Sequence, residues 1–246
     1  MTSVVLVTGG AGGIARTILE RLLADGARVA LADLDPARLD TVRASLPAAD
    51  RERVSIHPLD VRDAEACRST VAEVVAAHGR LDALVNTAGI MVRHDALSTT
   101  PEEWDLVLDV NLSGAFRMAR AAHAALAASG GCIVSIASTH AFLAAKNSVA
   151  YSVSKAGLSH LTRLLALEWA ADGIRVNAVA PTVTPSPMTD DVLGDPAYVA
   201  RKFAAIPLGR PIAPEHVAGA IAYLLSADAG STTGQVLVLD GGESLA

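Results

Sequence analysis

Aromatic residues are scarce in this chain, at 3% of 246 positions, with three Phe, three Tyr and two Trp. A core without large rings has to be built from Ala, Val, Leu and Ile, and apolar residues reach 51%. Side chains of that size suit parallel strands buried on both faces under Ala-rich helices. Cysteine is nearly absent: Cys67 and Cys132 are far apart, and neither belongs to a CxxC pair. That excludes a disulfide framework or a thiolate zinc site, and both thiols are expected as small buried hydrophobes. No two histidines have metal-ligand spacing, so no metal is expected. Basic runs are missing as well, and the net charge is −6 with a pI near 5.6. A general nucleic-acid binder would need a basic face, so that partner class is set aside. No apolar run reaches the roughly 18 residues of a membrane span. The first strand-like run opens at Val4, which leaves no space for a cleavable leader. The expectation is a cytoplasmic protein. Repeats, low-complexity tracts and Ser/Gly linkers are also lacking, which points to one domain over residues 1–246.

What the chain does have is alternation. Short β-branched runs at Ser3–Val7, Arg28–Ala32, Arg53–His57, Leu81–Val85, Gly131–Ala137, Ile174–Val179 and Gln235–Leu239 read as seven strands. Helical patterns fill the gaps: Ile14–Asp25 closing at Gly26, one opening at Pro36, Asp63–His78 ending at Gly79, Trp104–Ala128 broken near Asn111, and Tyr151–Ala170. Strand-helix alternation predicts an α/β doubly wound parallel sheet with helices on both faces. Right-handed crossovers would then bring the carboxyl ends of the strands to one edge. The segment 181–212 holds Pro181, Pro185, Pro187, Pro196, Pro207 and Pro211, and is expected as an irregular lid over the substrate.

Between the first strand and the first helix lies TGGAGGIA, Thr8 to Ala15. Glycines at such a turn let the backbone approach a pyrophosphate, and the helix N-terminus offers amide donors. No Lys-Ser or Lys-Thr follows the last glycine, so a phosphate-hydrolysing P-loop is excluded. Asp33, with Leu34 after it, ends the second strand, where a carboxylate can accept from ribose hydroxyls and repel a 2′-phosphate. Asp35, immediately before Pro36, is free to cap the next helix. No cation stands beside Asp33 in sequence: Arg16 lies within the first helix and Arg38 a turn into the second. That favours NAD over NADP. To this point a methyltransferase with a glycine loop and an acid on its second strand fits equally well.

The stretch YSVSK breaks the tie. Tyr151 and Lys155 are four positions apart on a helical pattern, hence on one face. A phenol is a poor base near neutrality, but a nearby ammonium and the charge of an oxidised nicotinamide would favour the phenolate. The pair can then take a hydroxyl proton while hydride leaves the adjacent carbon. Ser138, at the end of a strand, is placed to hold the substrate oxygen. A methyltransferase needs neither.

With those residues together, the chain resembles a short-chain dehydrogenase/reductase of the compact single-domain type from end to end. TGGAGGIA resembles the family's TGxxxGxG, with Ala15 where the third glycine usually stands. NTAG, Asn86 to Gly89, resembles its NNAG with Thr87 for the second Asn, and TGQVLVLDGG at Thr233–Gly242 is similar to its closing strand. The resemblance implies a Rossmann-type sheet and a catalytic tetrad of Asn111, Ser138, Tyr151 and Lys155. Tyr151 would be the acid/base, Ser138 the anchor, Lys155 the pKa modifier and ribose ligand, and Asn111 the holder of a relay water. It further implies that Gly9, Gly13, Ile14, Asp33, Leu34, Asp60, Val61, Asn86, Ala88, Gly89, Tyr151, Lys155, Pro181 and Thr184 surround the cofactor.

Departures lie after the sixth strand. Thr182 stands where the family has Gly, with Thr184 and Ser186 replacing an aliphatic residue and Thr. Pro-Thr here is similar to members acting on polyols and sugars, and Arg93-His94 resembles a basic pair in sugar-acid dehydrogenases. Arg93 and His140 are therefore candidate substrate contacts, against readings as a solvated loop charge and a structural His. The expected activity is oxidation of a polyol, sugar or sugar-acid-like secondary alcohol by NAD. The rivals are a 3-oxoacyl-thioester reductase and a silent NAD-binding scaffold. Helices at Leu112–Ala128 and Ser152–Ala170 carry more Ala and Leu than one buried face needs, and the resemblance implies a homotetramer.

Overall fold

The computed structural model describes residues 2–245. In chain order the elements are β1 (Val4–Thr8), α1 (Gly13–Ala24), β2 (Arg28–Asp33), α2 (Pro36–Ala44), the single turn α3 (Ala48–Arg51), β3 (Val54–Pro58), α4 (Ala64–His78) and β4 (Ala83–Asn86). There follow α5 (Pro101–Leu108), α6 (Ala115–Ser129), β5 (Cys132–Ile136), α7 (Val149–Trp169), β6 (Arg175–Pro181), α8 (Asp190–Leu193), α9 (Pro196–Ala204), α10 (Pro214–Leu225) and β7 (Val236–Leu239). Seven strands form one sheet in the order β3-β2-β1-β4-β5-β6-β7, every neighbouring pair parallel. The order reverses between β1 and β4, so a crevice opens at their carboxyl ends, the place where such sheets bind ligands.

Strand alternation divides the core in two. Val5 and Val7 of β1 point to one face, where Ile18, Leu19 and Leu22 of α1 meet Val217 and Ile221 of α10. Val4 and Leu6 point to the other, under Val71 and Val74 of α4 and Met118, Ala122 and Leu126 of α6. Small branched side chains suffice because a parallel sheet is covered on both sides. Cys67 and Cys132 are buried within these layers, and burial pushes both thiols up to about 11.

Local chemistry sets the helix ends. Asp35 accepts from the amides of Ala37 and Arg38 at 3.0 and 3.1 Å and caps α2, with Pro36 in the first turn. Asp63 caps α4 in the same way, and Gly79 closes it at φ +78°. The expected break near Asn111 is a π-helical turn, Asp109–Gly114, between α5 and α6. Gly114 is pressed there against Val61: a β-carbon on it would stand 2.7 Å from the Val61 methyl.

The segment 181–212 is less irregular than expected. Asp195 caps α9 by accepting from Ala197, Pro196 opens that helix, and Ile206 and Ile212 are buried. Its prolines thus start a helix and bound turns, and do not forbid structure. Among the described residues no helix is long and apolar enough to cross a membrane.

Candidate active site

A cleft of about 1320 Å³ runs along the carboxyl edge of the sheet. Its floor at one end is the glycine loop. Gly9 has φ +64°, and a β-carbon there would stand 2.7 Å from the amide of Ala88, so the loop and the start of the NTAG segment touch backbone to backbone. Thr87, the departure from the family's Asn, donates its hydroxyl to the carbonyl of Thr8 and stitches the same two segments. Ala15, the other departure, is buried at the start of α1. Gly13 lies under Pro187 of the 181–212 segment, whose Cδ would be 2.8 Å from a β-carbon.

Gly13, Ile14, Leu34, Val61, Gly89, Pro181 and Thr184 all line this cleft, as the sequence predicts. Asp33 lines it too, with its carboxylate accepting from the amides of Ala11 at 3.0 Å and Asp35 at 3.2 Å. Asp60 is held by Arg62 through contacts of 2.6 to 3.0 Å, and that guanidinium keeps its carboxyl below the usual range. Two expectations need correction here. Arg38 is not remote: its Nη2 donates to the carbonyl of Ala11 at 3.0 Å, which brings a cation to the same end of the cleft as Asp33. A side chain one helical turn into α2 reaches back because Asp35 caps that helix beside the loop. Asn86 does not line the cleft; its amide turns beneath the sheet to Ser135 at 3.3 Å, and its buried Oδ1 has no protein partner.

At the other end stand the candidate catalytic groups. Ser138 lies two residues past β5, and its Oγ accepts from the amide of His140 at 3.2 Å, opening the short turn Thr139–Ala141. Asn147, at φ +57°, and Ser148, donating to Ala145 at 3.0 Å, shape the entry into α7. Tyr151 and Lys155 share one face of that helix, with Lys155 Nζ 5.5 Å from the phenol centroid. The ammonium donates to the carbonyl of Ile136 at 2.7 Å. It is buried, and desolvation lowers it to about 8. Burial likewise raises the Tyr151 phenol, while the Ser138 hydroxyl facing it works the other way. The bond to Ile136 uses one of the three donors of the Lys155 ammonium, which keeps two for other partners beside the phenol.

Asn111 is buried in the π-helical turn but does not line the cleft. Its side chain is committed to Ile90, accepting from the amide at 2.8 Å and donating to the carbonyl at 2.9 Å, and to Ser154 at 3.0 Å. It fixes the loop after β4 against α7. Arg93 is neither free nor simply solvated: it donates to Met188 at 2.9 Å and pairs with Asp191 at 3.4 Å, tying that loop to the 181–212 segment. His94 turns away to Glu103. His140 lines the cleft edge-on to Tyr151, with ring centroids 5.6 Å apart and a buried Nδ1 that has no partner. Thr182, in place of the family's Gly, donates to Glu243, which also pairs with Lys202 of α9. Lys202, Lys146 and Tyr198 line the cleft and were missed by motif reading, although the rarity of lysine was a visible signal.

The donor set fits a dinucleotide: amides at a helix N-terminus for pyrophosphate, an acid at the tip of β2, and a phenol-ammonium pair at the far end of one continuous cleft.

Residues 9–244 match the family model described as enoyl-(acyl carrier protein) reductase. The chain is 37% identical over 243 residues to a D-threitol dehydrogenase of Mycolicibacterium smegmatis, covering 98% of this chain and 93% of that one. It is 38% identical over 239 residues to an L-tagatose-forming galactitol 2-dehydrogenase of Cereibacter sphaeroides, covering 96% and 92%. Among solved structures, a gluconate 5-dehydrogenase from Burkholderia cenocepacia, in complex with NADP and tartrate, superposes with a TM-score of 0.94 at 29% identity, covering 99% and 96%. On this family match, full-length similarity and fold, the chain belongs to the short-chain dehydrogenase/reductase family.

Proposed function

We propose that this protein is an NAD-dependent dehydrogenase of secondary alcohols on a polyol or sugar-like chain, interconverting alcohol and ketone. One observation carries the reading: Ser138, Tyr151 and Lys155 line the same cleft as the glycine loop and Asp33. The similarity to threitol and galactitol dehydrogenases supports the substrate class. A nicotinamide cofactor in this cleft would accept or return the hydride. Ser138 would hold the reacting oxygen, and Tyr151 would take its proton. Lys155 would supply positive charge below the phenol and a donor for the cofactor's ribose. Asn111 would act through its side chain as a positioning residue for Ile90, which leaves any relay of protons to its main chain.

NAD is preferred in this reading because the Asp33 carboxylate at the tip of β2 would accept from ribose hydroxyls and repel a 2′-phosphate, although Arg38 narrows the margin by offering a cation at the same end. The segment 181–212 serves as a lid, held at one side by Arg93 and at the other by Glu243. A homotetramer fits the exposed Phe116 of α6 and Val153, Leu164 and Leu167 of α7, the last 79% exposed. Sedimentation at micromolar concentration tests that assembly, and a monomer would contradict it. The cytoplasm, with its nicotinamide pool and reduced thiols, is the compartment that suits two buried free cysteines.

The test is a panel of polyols and simple secondary alcohols with NAD and NADP, followed by reduced-nicotinamide absorbance. Turnover of a secondary alcohol supports the reading. Reduction of a 3-oxoacyl thioester with no activity on any alcohol would replace it by the 3-oxoacyl-thioester reductase reading.

A further inference from the structure

Charge is distributed unevenly along the cleft. The chain has only three lysines, and all three, Lys146, Lys155 and Lys202, line this one cleft. At the adenosine end the lining charges balance, with Asp33 near Arg38 and Asp60 against Arg62. Beyond Tyr151 the lining cations are Arg93, Lys146, Arg201 and Lys202, and among the described residues no carboxylate lines that end. Two carboxylates stand behind the cations: Asp191 at 3.4 Å from Arg93, and Glu243 against Lys202. Four cations against two carboxylates leave this end positive within a chain whose net charge is −6. A cleft lined by one sign between apolar walls concentrates ligands of the opposite sign.

Lys202 is the most confined of the four, with its side chain 17% exposed and that of Glu243 12% exposed. Thr182 also donates to Glu243, so the carboxylate is fixed on two sides and the ammonium cannot swing freely. An ammonium has three donors, and one carboxylate does not use them all. His140 lines the same cleft as Lys202, with its ring edge-on to Tyr151. A ligand carboxylate beside Lys202 can accept from the donors that Glu243 leaves, in a charge-assisted contact.

Resting on the dehydrogenase reading above, we propose that the alcohol processed here carries a carboxylate, and that Lys202 with His140 is the specificity-determining pair that receives it. The substrate is then a hydroxy acid of the aldonic kind, and the neutral polyol of the same chain is the poorer substrate. Thr182 and Glu243 are positioning residues that aim the ammonium.

Matched pairs test this: D-threitol with D-threonate, and glucitol with gluconate, each with NAD and with NADP. For at least one pair, kcat/KM for the acid should exceed that for the polyol tenfold or more. Because Lys202→Met alone strands a buried Glu243, the variant used is Lys202→Met with Glu243→Gln, beside the charge-conserving Lys202→Arg. The double variant should lower the acid-to-polyol ratio at least tenfold, and Lys202→Arg should retain most of it. A loss shared equally by acid and polyol would mean that Lys202 merely clamps α9, and would overturn the proposal. Turnover of polyols without turnover of acids overturns it while leaving the dehydrogenase reading intact. If neither is turned over, the dehydrogenase reading fails, and calorimetric titration of gluconate and threonate into Tyr151→Phe with NAD present decides the carboxylate site by itself. At least one acid should bind, and its affinity should fall at least tenfold when the double variant is added; no binding of either overturns the site.

Discussion

Arg38 and Asp33 hold the two polar backbone groups of one residue, Ala11, from opposite sides. Arg38 Nη2 donates to its carbonyl at 3.0 Å, and Asp33 Oδ2 accepts from its amide at 3.0 Å. A carboxylate that would meet a ribose and a guanidinium that could meet a 2′-phosphate thus share one loop. Asp33→Asn removes the charge while leaving an oxygen for Ala11. The NAD-to-NADP ratio of kcat/KM should fall at least tenfold in that variant, about 1.4 kcal/mol. Arg38→Ala should move the ratio the other way. A wild-type preference for NADP would assign Asp33 the wrong role.

Gly9→Ala and Gly26→Ala separate backbone strain from loss of the cleft. Both glycines have positive φ, +64° and +86°. At Gly26 nothing lies within 4 Å of an added β-carbon, whereas at Gly9 the Ala88 amide is 2.7 Å away. Gly26→Ala should cost about 1 kcal/mol, the penalty of a left-handed alanine. Gly9→Ala should cost more, on the order of 1–3 kcal/mol, and should also weaken cofactor binding because the glycine loop has to shift. Thermal melting and cofactor titration on both variants check this.

The buried ammonium of Lys155 makes stability depend on pH in a defined direction. Its value in the fold is lowered to about 8 from an ordinary 10.5. Between those values the unfolded chain binds the proton and the folded chain does not, so stability from this site rises with pH across that window. Below about 8 both states are protonated and the folded state bears the full desolvation cost. Lys155→Met should therefore raise the melting temperature of the cofactor-free protein most below pH 8, and the gap to wild type should narrow toward pH 10. A gap independent of pH would show that the ammonium is not the source of the cost.

The parts legible in the sequence are those that local chemistry decides. The run Val4–Val7 reads as a buried strand because β-branched and leucine side chains fill both sides of a parallel sheet, whereas the similar run Val236–Leu239 forms the edge strand β7, where Leu237 and Val238 are exposed. Asp35 before Pro36, and Asp63 with Gly79, mark helix ends through capping bonds that the structure contains. The spacing of Tyr151 and Lys155 places them on one face with no tertiary information. What escaped reading depends on long-range approach. Arg38 meets Ala11 across 27 positions, Lys202 meets Glu243 across 41, and Arg93 meets Met188 across 95. Asn86 turns under the sheet because Ser135 on β5 lies beside it, a neighbour set by strand order. The segment 181–212 reads as irregular because six prolines crowd it, whereas Pro196 sits in the first turn of α9, where its missing amide costs nothing.

Cys67 and Cys132, with thiols pushed up to about 11, should resist alkylation in the folded protein near pH 8. Two thiols should become reactive on denaturation, as counted by a chromogenic disulfide reagent. Rapid modification of the native protein would place one of them nearer the surface.

The most direct measurement is the turnover of Tyr151→Phe with its best alcohol, beside its affinity for NAD. The phenol oxygen is the only heavy atom removed, and Tyr151 makes an edge-on contact with His140 that a phenyl ring preserves. Turnover should fall by two or more orders of magnitude, the size of a lost general base, while cofactor affinity and melting temperature stay near wild type. Near-native turnover in Tyr151→Phe would contradict the assignment of proton transfer to this residue, and with it the reading of YSVSK as the chemical centre of the protein.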